Sequence, residues 1–123
     1  MFTDKFYEVI SKEGVAPIVT WAKDDAHVSA TWNSYLNVTE DGKLLVPAAW
    51  MNKTEANIAI NDRVKMVFGS KEVMGKNSMG AGFMVEGTAR FLDSGKEFDM
   101  MKAKFPWLTR VLEISPKTVT QTL

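Results

Sequence analysis

The segment Val46–Asn57 reads VPAAWMNKTEAN, which predicts a β-strand that runs almost directly into a helix. Asn52 is a favourable N-cap, and Glu55 stands three residues later as its capping-box partner. Lys53 and Thr54 then fall in the first helical turn, where backbone N–H groups lack partners and the helix dipole favours an anion. The segment therefore predicts a phosphate-binding site, with exposed first-turn residues as the alternative.

A second segment, Thr31–Tyr35, alternates aromatic and hydrogen-bonding side chains on a predicted strand. Its aromatic members could stack on a planar ring, and its polar members could bond to the polar edge of that ring. The alternative is that Trp32 belongs to the core and its polar neighbours face solvent. Taken together with the predicted phosphate site, this segment indicates a phosphorylated cofactor with a planar ring.

Composition excludes several classes of function. The chain has fifteen basic and fifteen acidic residues, so it lacks the positive charge that nucleic-acid binding requires. It contains no cysteine and a single histidine, His27, which excludes disulfides, thiolate metal sites and catalytic triads. No apolar run is long enough for a bilayer span or a signal segment, so we predict a cytoplasmic protein without a membrane partner.

Apolar periodicity predicts about six strands and about three short helices in one domain spanning residues 1–123. The predicted helices cover residues 4–13, a segment capped by Asn52, and a segment that is capped by Asp93 or Ser94 and ended by Pro106. The predicted strands cover 15–22, 27–38, 44–49, 64–73, 83–92 and 111–122, with a long hairpin loop at 75–82. Hairpin-like connections favour an antiparallel barrel, because parallel strands need long crossovers.

Several segments together resemble the FMN-binding split barrels of the pyridoxamine 5′-phosphate oxidase superfamily, nearly end to end. The resemblance is carried by Thr31–Tyr35, Val46-Pro47, Met51–Asn57, Gly69-Ser70 and the terminal segment Glu113–Leu123. It implies an all-β-dominated, six-stranded antiparallel Greek-key split β-barrel with three short helices. It also implies a homodimer with one FMN per subunit at the dimer interface.

The resemblance further implies a set of FMN-binding residues. Thr31, Lys53 and Thr54 are expected to hold the phosphate. The ribityl chain and the isoalloxazine ring are expected to contact Trp32, Asn33, Ser34, Tyr35, Val46, Pro47, Ala48, Ala49 and Met51. Trp107 and the Leu123 of the other subunit are expected to cover the ring.

The sequence leaves more than one function open. The leading hypothesis is a small redox protein that passes electrons between a partner protein or small-molecule donor and an acceptor, because no dinucleotide fingerprint or acid/base pair is present. An NAD(P)H-dependent flavin reductase or related oxidoreductase is the alternative. A non-catalytic module for haem or a deazaflavin, or a purely structural dimer, is a third hypothesis. Whether the protein is an enzyme stays open at this point.

Overall fold

The fold was analysed in a computed structural model that describes all residues 1–123. The helices are α1 (Asp4–Ile10), α2 (Asn52–Ile60) and α3 (Lys96–Lys104), and a single 3-10 turn spans Asn33–Tyr35. The strands are β1 (Val15–Ala22), β2 (Asp25–Trp32), β3 (Asn37–Val38), β4 (Leu44–Ala48), β5 (Arg63–Met74), β6 (Met79–Leu92) and β7 (Arg110–Gln121). No helix is both long enough and apolar enough to cross a bilayer.

The strands form one seven-stranded sheet in the order β2-β1-β5-β6-β7-β4-β3, and every pairing is antiparallel. Strands β5, β6 and β7 are consecutive neighbours, and β4, which precedes them in the chain, lies beside β7. This is a Greek-key arrangement. The edge strands β2 and β3 are not paired with each other, so the barrel is split, and the predicted fold class is confirmed.

One core of sixteen buried residues holds the sheet together. It contains Ile18 from β1 and Val46 from β4, which are separated by three strands in the sheet order. The sheet must therefore curl so that both ends face the same interior. Phe6 of α1 packs at 5.3 Å from Phe68 and 5.5 Å from Phe83, measured between ring centroids, and so α1 covers the interior side of β5 and β6.

The opposite face of β2, β1 and β5 is apolar and exposed. Val15 stands opposite Trp32 in the pairing of β1 with β2, and both side chains are exposed. Val28 of β2 and Val67 of β5 are also exposed, and strand alternation places them on the same face of the sheet as Val15 and Trp32. Contiguous exposed apolar surface of this kind is uncommon on monomeric proteins.

Several predicted boundaries differ from the structure, and the first helix, predicted over residues 4–13, ends at Ile10. The strand predicted at 27–38 ends at Trp32, because the backbone N–H of Asn33 donates to the carbonyl of Gly14 and the chain enters the 3-10 turn. The chain then resumes as the short strand β3, which raises the strand count from six to seven.

The loop predicted at 75–82 is much shorter in the structure, because Met74 pairs with Met79 and the N–H of Gly75 donates to the carbonyl of Ser78. Gly95, rather than Asp93 or Ser94, is the N-cap of α3.

Candidate functional site: an aromatic cavity beside helix α2

A cavity of about 540 Å³ opens where β2 and β4 end. Small-molecule sites commonly have volumes of about 300–1,000 Å³, so this one is large enough for a cofactor. The end of β2, the 3-10 turn, the β4–α2 connection and the segment before β7 all contribute to its wall. Ten residues line it: Ala30, Thr31, Trp32, Tyr35, Pro47, Ala49, Trp50, Met51, Trp107 and Thr109.

The cavity brings together part of the predicted cofactor-binding set, namely Thr31, Trp32, Tyr35, Pro47, Ala49, Met51 and Trp107. Strand alternation explains why two predicted neighbours are absent from its wall. Successive side chains of a strand point to opposite faces, so Pro47 and Ala49 face the cavity while Val46 and Ala48 are fully buried on the other face. Val46 belongs to the core cluster.

The aromatic rings of the cavity wall contact one another. Tyr35 lies 5.6 Å from Trp107 and 5.1 Å from Phe105, and Phe105 lies 5.8 Å from Trp107, all between ring centroids. These are the separations of favourable aromatic pairs. Trp32 and Trp107 nevertheless remain about half exposed, which leaves indole surface available to a planar ligand.

Helix α2 begins directly beside this wall without a side-chain cap. The predicted N-cap at Asn52 is wrong: Met51 is the N-cap, and Asn52 is already the first residue of the helix. The predicted capping box is wrong as well, since the Oε2 atom of Glu55 lies 3.0 Å from Nε of Arg110 in an ion pair.

The missing cap leaves backbone donors at the start of α2. The N–H groups of Lys53 and Thr54 have no protein acceptor, as expected for the first turn of an uncapped helix. The Lys53 side chain is exposed and forms no ion pair. The Thr54 side chain is fully buried, and its hydroxyl donates to Oγ of Ser29 across 3.1 Å, which ties α2 to β2.

Two predicted residues, Asn33 and Ser34, do not line the cavity. Asn33 is buried, and its Nδ2 atom donates to the carbonyl oxygens of Lys12 at 3.0 Å and Gly69 at 3.5 Å. The hydroxyl of Ser34 donates to Oε2 of Glu13 across 2.7 Å, and this hydrogen bond lowers the pKa of the Glu13 carboxyl below its ordinary value. Both side chains join the 3-10 turn to the segment that follows α1.

The C-terminal residue Leu123 also lies outside the cavity. It borders a second depression of about 440 Å³ on the β5–β6 hairpin, together with Glu13, Gly69 and Gly80. Backbone bonds between Gly82 and the last two residues hold the terminus there. Within one chain, Leu123 and the aromatic cavity are therefore separate features.

Sequence reasoning missed three residues of the cavity wall: Ala30, Trp50 and Thr109. Ala30 shares its strand phase with Trp32, and Trp50 directly precedes Met51, so local signals for both existed. Thr109 had no such signal, because it reaches the cavity only through tertiary pairing. Its N–H donates to the carbonyl of Ala48 across 2.9 Å.

The residues that line the cavity are mostly apolar or aromatic. Among the residues that line the cavity, Tyr35 carries the only ionisable side chain, and the other polar groups are the hydroxyls of Thr31 and Thr109 and the indole N–H groups. The structure contains no cluster of three or more histidine, aspartate or glutamate residues that could hold a metal ion. The wall therefore presents ring surfaces and a few neutral hydrogen-bonding groups.

Comparisons with known proteins identify the family of this chain. The family model described as pyridoxamine 5′-phosphate oxidase matches residues 2–123. The chain is 42% identical over 123 residues, all of both proteins, to the FMN-binding protein of Nitratidesulfovibrio vulgaris (strain DSM 19637 / Miyazaki F).

Solved structures share the fold at low sequence identity. HupZ of Group A Streptococcus superposes with a TM-score of 0.82 at 17% identity, over 99% of this chain and 94% of that one. An FMN-binding protein from Syntrophomonas wolfei subsp. wolfei gives a TM-score of 0.71 at 14% identity, over 88% of this chain and 76% of that one. This chain belongs to the pyridoxamine 5′-phosphate oxidase family.

Proposed function

We propose that this protein is a small flavoprotein that binds FMN in the aromatic cavity, works as a homodimer, and passes electrons between a donor and an acceptor. The observation that carries the proposal is the position of the cavity at the uncapped start of α2. A planar ring and a phosphate, which are the two ends of FMN, each find suitable groups there. The name of the relative from Nitratidesulfovibrio vulgaris supports the same cofactor.

The ring end of the cofactor fits the aromatic wall. Trp32, Tyr35 and Trp107 offer faces that a flat heteroaromatic ring can stack on or meet edge to face. Their apolar surfaces exclude water, and this environment disfavours a charged form of the ring unless hydrogen bonds compensate. The hydroxyl of Tyr35 and the indole N–H groups of the wall can supply such bonds, whereas the hydroxyl of Thr109 already donates to the carbonyl of Ala48.

The phosphate end fits the first turn of α2. The unpaired N–H groups of Lys53 and Thr54, the helix dipole and the ammonium group of Lys53 all favour a dianion. Glu55, which lies in the first turn of the helix, is paired with Arg110 at 3.0 Å, and this ion pair limits its repulsion of a phosphate. Asn33 and Ser34 are left as positioning residues of the 3-10 turn, because their side chains are engaged with Lys12, Gly69 and Glu13.

The homodimer is supported by the outer face of the sheet. Val15, Val28, Trp32 and Val67 leave apolar surface exposed on β2, β1 and β5, next to the cavity wall. When a second copy covers this face, the cavity is closed by residues of the other chain. We assign that role to the partner subunit's Leu123, which does not reach the cavity of its own chain.

In this function the bound flavin supplies the electron chemistry, and the protein supplies binding, orientation and exclusion of water. The wall offers no carboxylate, lysine or histidine for acid–base work on a second substrate, which favours electron transfer over an oxidase reaction. A cytoplasmic location, predicted from the sequence, is part of the same proposal.

The test is an absorption spectrum of the purified protein with and without added FMN, followed by mixing with NADH and NADPH. We expect the flavin visible bands, one FMN per chain, and an oxidised spectrum that persists after either nucleotide is added. Rapid reduction by NADH or NADPH would instead identify a flavin reductase. A colourless protein that takes up no FMN would contradict both flavin functions.

The dimer is tested separately by placing a charge on the outer face. Val67→Glu introduces a carboxylate in the middle of the apolar surface, so we expect the molar mass measured by light scattering to fall to that of one chain. Lys117→Glu serves as the control, because Lys117 is an exposed polar residue of β7. An unchanged mass for Val67→Glu would place the interface elsewhere.

A further inference from the structure

We propose that the indole of Trp50 covers the flavin ring at the rim of the cavity, and that the chain maintains a strained backbone at this residue to hold it there. The inference rests on the proposed function, since it takes FMN as the occupant of the cavity. Sequence reasoning did not include Trp50 among the cofactor-binding residues.

The backbone of Trp50 is unusual. Its φ angle is 71°, in the left-handed region where the Cβ atom of an L-residue crowds the following carbonyl oxygen. A bulky residue with such an angle is a genuine outlier, whereas glycine adopts it without strain. The short connection from β4 to α2 imposes the angle, because the chain reverses through Trp50 and Met51 before Asn52 enters the helix.

Within one chain, packing of the Trp50 side chain does not offset the strain of its backbone. It is 88% exposed, compared with 45% for Trp32 and 49% for Trp107, and it takes part in none of the aromatic or cation–π contacts of the protein. Both the backbone and the exposed indole are therefore unfavourable for the isolated chain. Strain of this kind persists where it serves a function.

The position of the Trp50 indole indicates which group contacts its exposed surface. Trp50 lines the same cavity as Trp32, Tyr35 and Trp107, although these residues come from three separate segments of the chain. A planar ring in this cavity therefore meets Trp50 as an additional wall. Contact with the ring removes the indole from water and offsets the strained turn.

Three substitutions distinguish the contribution of the Trp50 side chain to FMN binding from the strain of its backbone. Trp50→Ala removes the indole and leaves the left-handed angle, Trp50→Gly removes the indole and relieves the angle, and Trp50→Phe keeps a ring at the same angle. The matched control is Tyr7→Ala, since Tyr7 is an exposed aromatic residue of α1 that lies outside the cavity.

We expect Trp50→Ala and Trp50→Gly to raise the Kd for FMN by about tenfold and by the same factor, the scale of one lost stacking contact. Trp50→Phe should stay within about threefold of the wild type because it keeps a ring at the cavity rim, and Tyr7→Ala should do so because it leaves Trp50 in place. Without FMN, the Gly variant should melt about 4 °C above the Ala variant, since only glycine relieves the turn.

Each contrary result identifies what fails. If the Ala and Gly variants bind FMN with the affinity of the wild type, Trp50 does not cover the flavin. FMN binding by the wild-type protein would still support the proposed function. A lower molar mass in both variants with unchanged affinity would mean that the partner subunit, and not the flavin, covers the indole. Equal melting temperatures of the Ala and Gly variants would contradict the inference that the backbone at residue 50 is strained. A wild-type protein that takes up no FMN would overturn the inference together with the proposed function.

Discussion

Two aromatic clusters in this molecule have nearly the same ring separations and opposite surroundings. In the interior, Phe6 lies 5.3 Å from Phe68 and 5.5 Å from Phe83. At the cavity, the pairs among Tyr35, Phe105 and Trp107 are separated by 5.1–5.8 Å. The interior rings are at most 2% exposed, whereas Trp107 is 49% exposed.

The difference shows that ring contacts alone do not decide what a cluster contributes. The interior rings are removed from water on every side, so their burial stabilises the fold. The cavity rings hold one another in place but keep a face open to solvent, so a large part of their apolar surface is left for a ligand. Substitutions in the first cluster should therefore change stability, and substitutions in the second should change ligand affinity.

The largest expected effect lies in the interior cluster. Phe6→Ala leaves a cavity between α1 and the sheet, and we expect the free energy of unfolding to fall by about 3–5 kcal/mol. Tyr7→Ala, one residue further along α1 on its exposed side, should cost less than about 1 kcal/mol. Urea unfolding of both variants measures the difference. Equal losses would mean that α1 does not seal the core.

The next effect concerns the phosphate end of the cavity. Lys53→Ala removes an exposed ammonium group at the first turn of α2, and we expect FMN binding to weaken by about 1.5–3 kcal/mol. Binding of riboflavin, which lacks the phosphate, should not change. Lys117→Ala is the matched control for the loss of a surface charge. If FMN binds the Lys53 variant with wild-type affinity, the phosphate lies elsewhere.

A smaller effect is expected in the cavity cluster. Trp107→Ala should weaken FMN binding by about 1 kcal/mol through loss of a ring contact, with little change in the free energy of unfolding. Phe105→Ala is the informative comparison, because Phe105 contacts Tyr35 and Trp107 but does not line the cavity. Its effect on affinity should be smaller, as measured by FMN titration. The reverse ranking would refute the assignment of Trp107 to the cavity wall.

The smallest effect is expected at the C-terminus. Deleting Leu123 removes an exposed side chain and two backbone hydrogen bonds to Gly82 of 3.3 and 3.4 Å at the chain end, so the free energy of unfolding should fall by less than about 1 kcal/mol. The visible spectrum or the potential of the bound flavin should nevertheless change if the partner subunit's Leu123 covers the ring. An identical spectrum and potential would remove Leu123 from the site.

The fold could be predicted from the sequence where local periodicity and the surrounding structure agree. Strand β1 was predicted with its observed bounds, because its apolar alternation ends at clear turn residues. The strand predicted at 27–38 could not be divided correctly, since the alternating pattern continues past Trp32. The chain turns there because Asn33 bonds to Lys12 and Gly14, which are distant in sequence.

The same limit applies to the cavity. Thr31, Trp32 and Tyr35 were predicted on a local pattern and lie in the wall, although whether they bind FMN stays a prediction. Thr109 was missed because only its hydrogen bond to Ala48 brings it there. The start of α2 was predicted with a cap at Asn52, and the tight turn at Trp50 removes that cap. Backbone turns of this kind depend on how strand and helix dock, which a propensity scale does not contain.

The central claim is that the aromatic cavity beside α2 binds FMN, and a calorimetric titration of the cofactor-free protein with FMN tests it most directly. We predict saturable binding of one FMN per chain in the wild type and weaker binding in both Lys53→Ala and Trp107→Ala. No heat of binding in the wild type, or binding that neither substitution weakens, would contradict the assignment of this cavity.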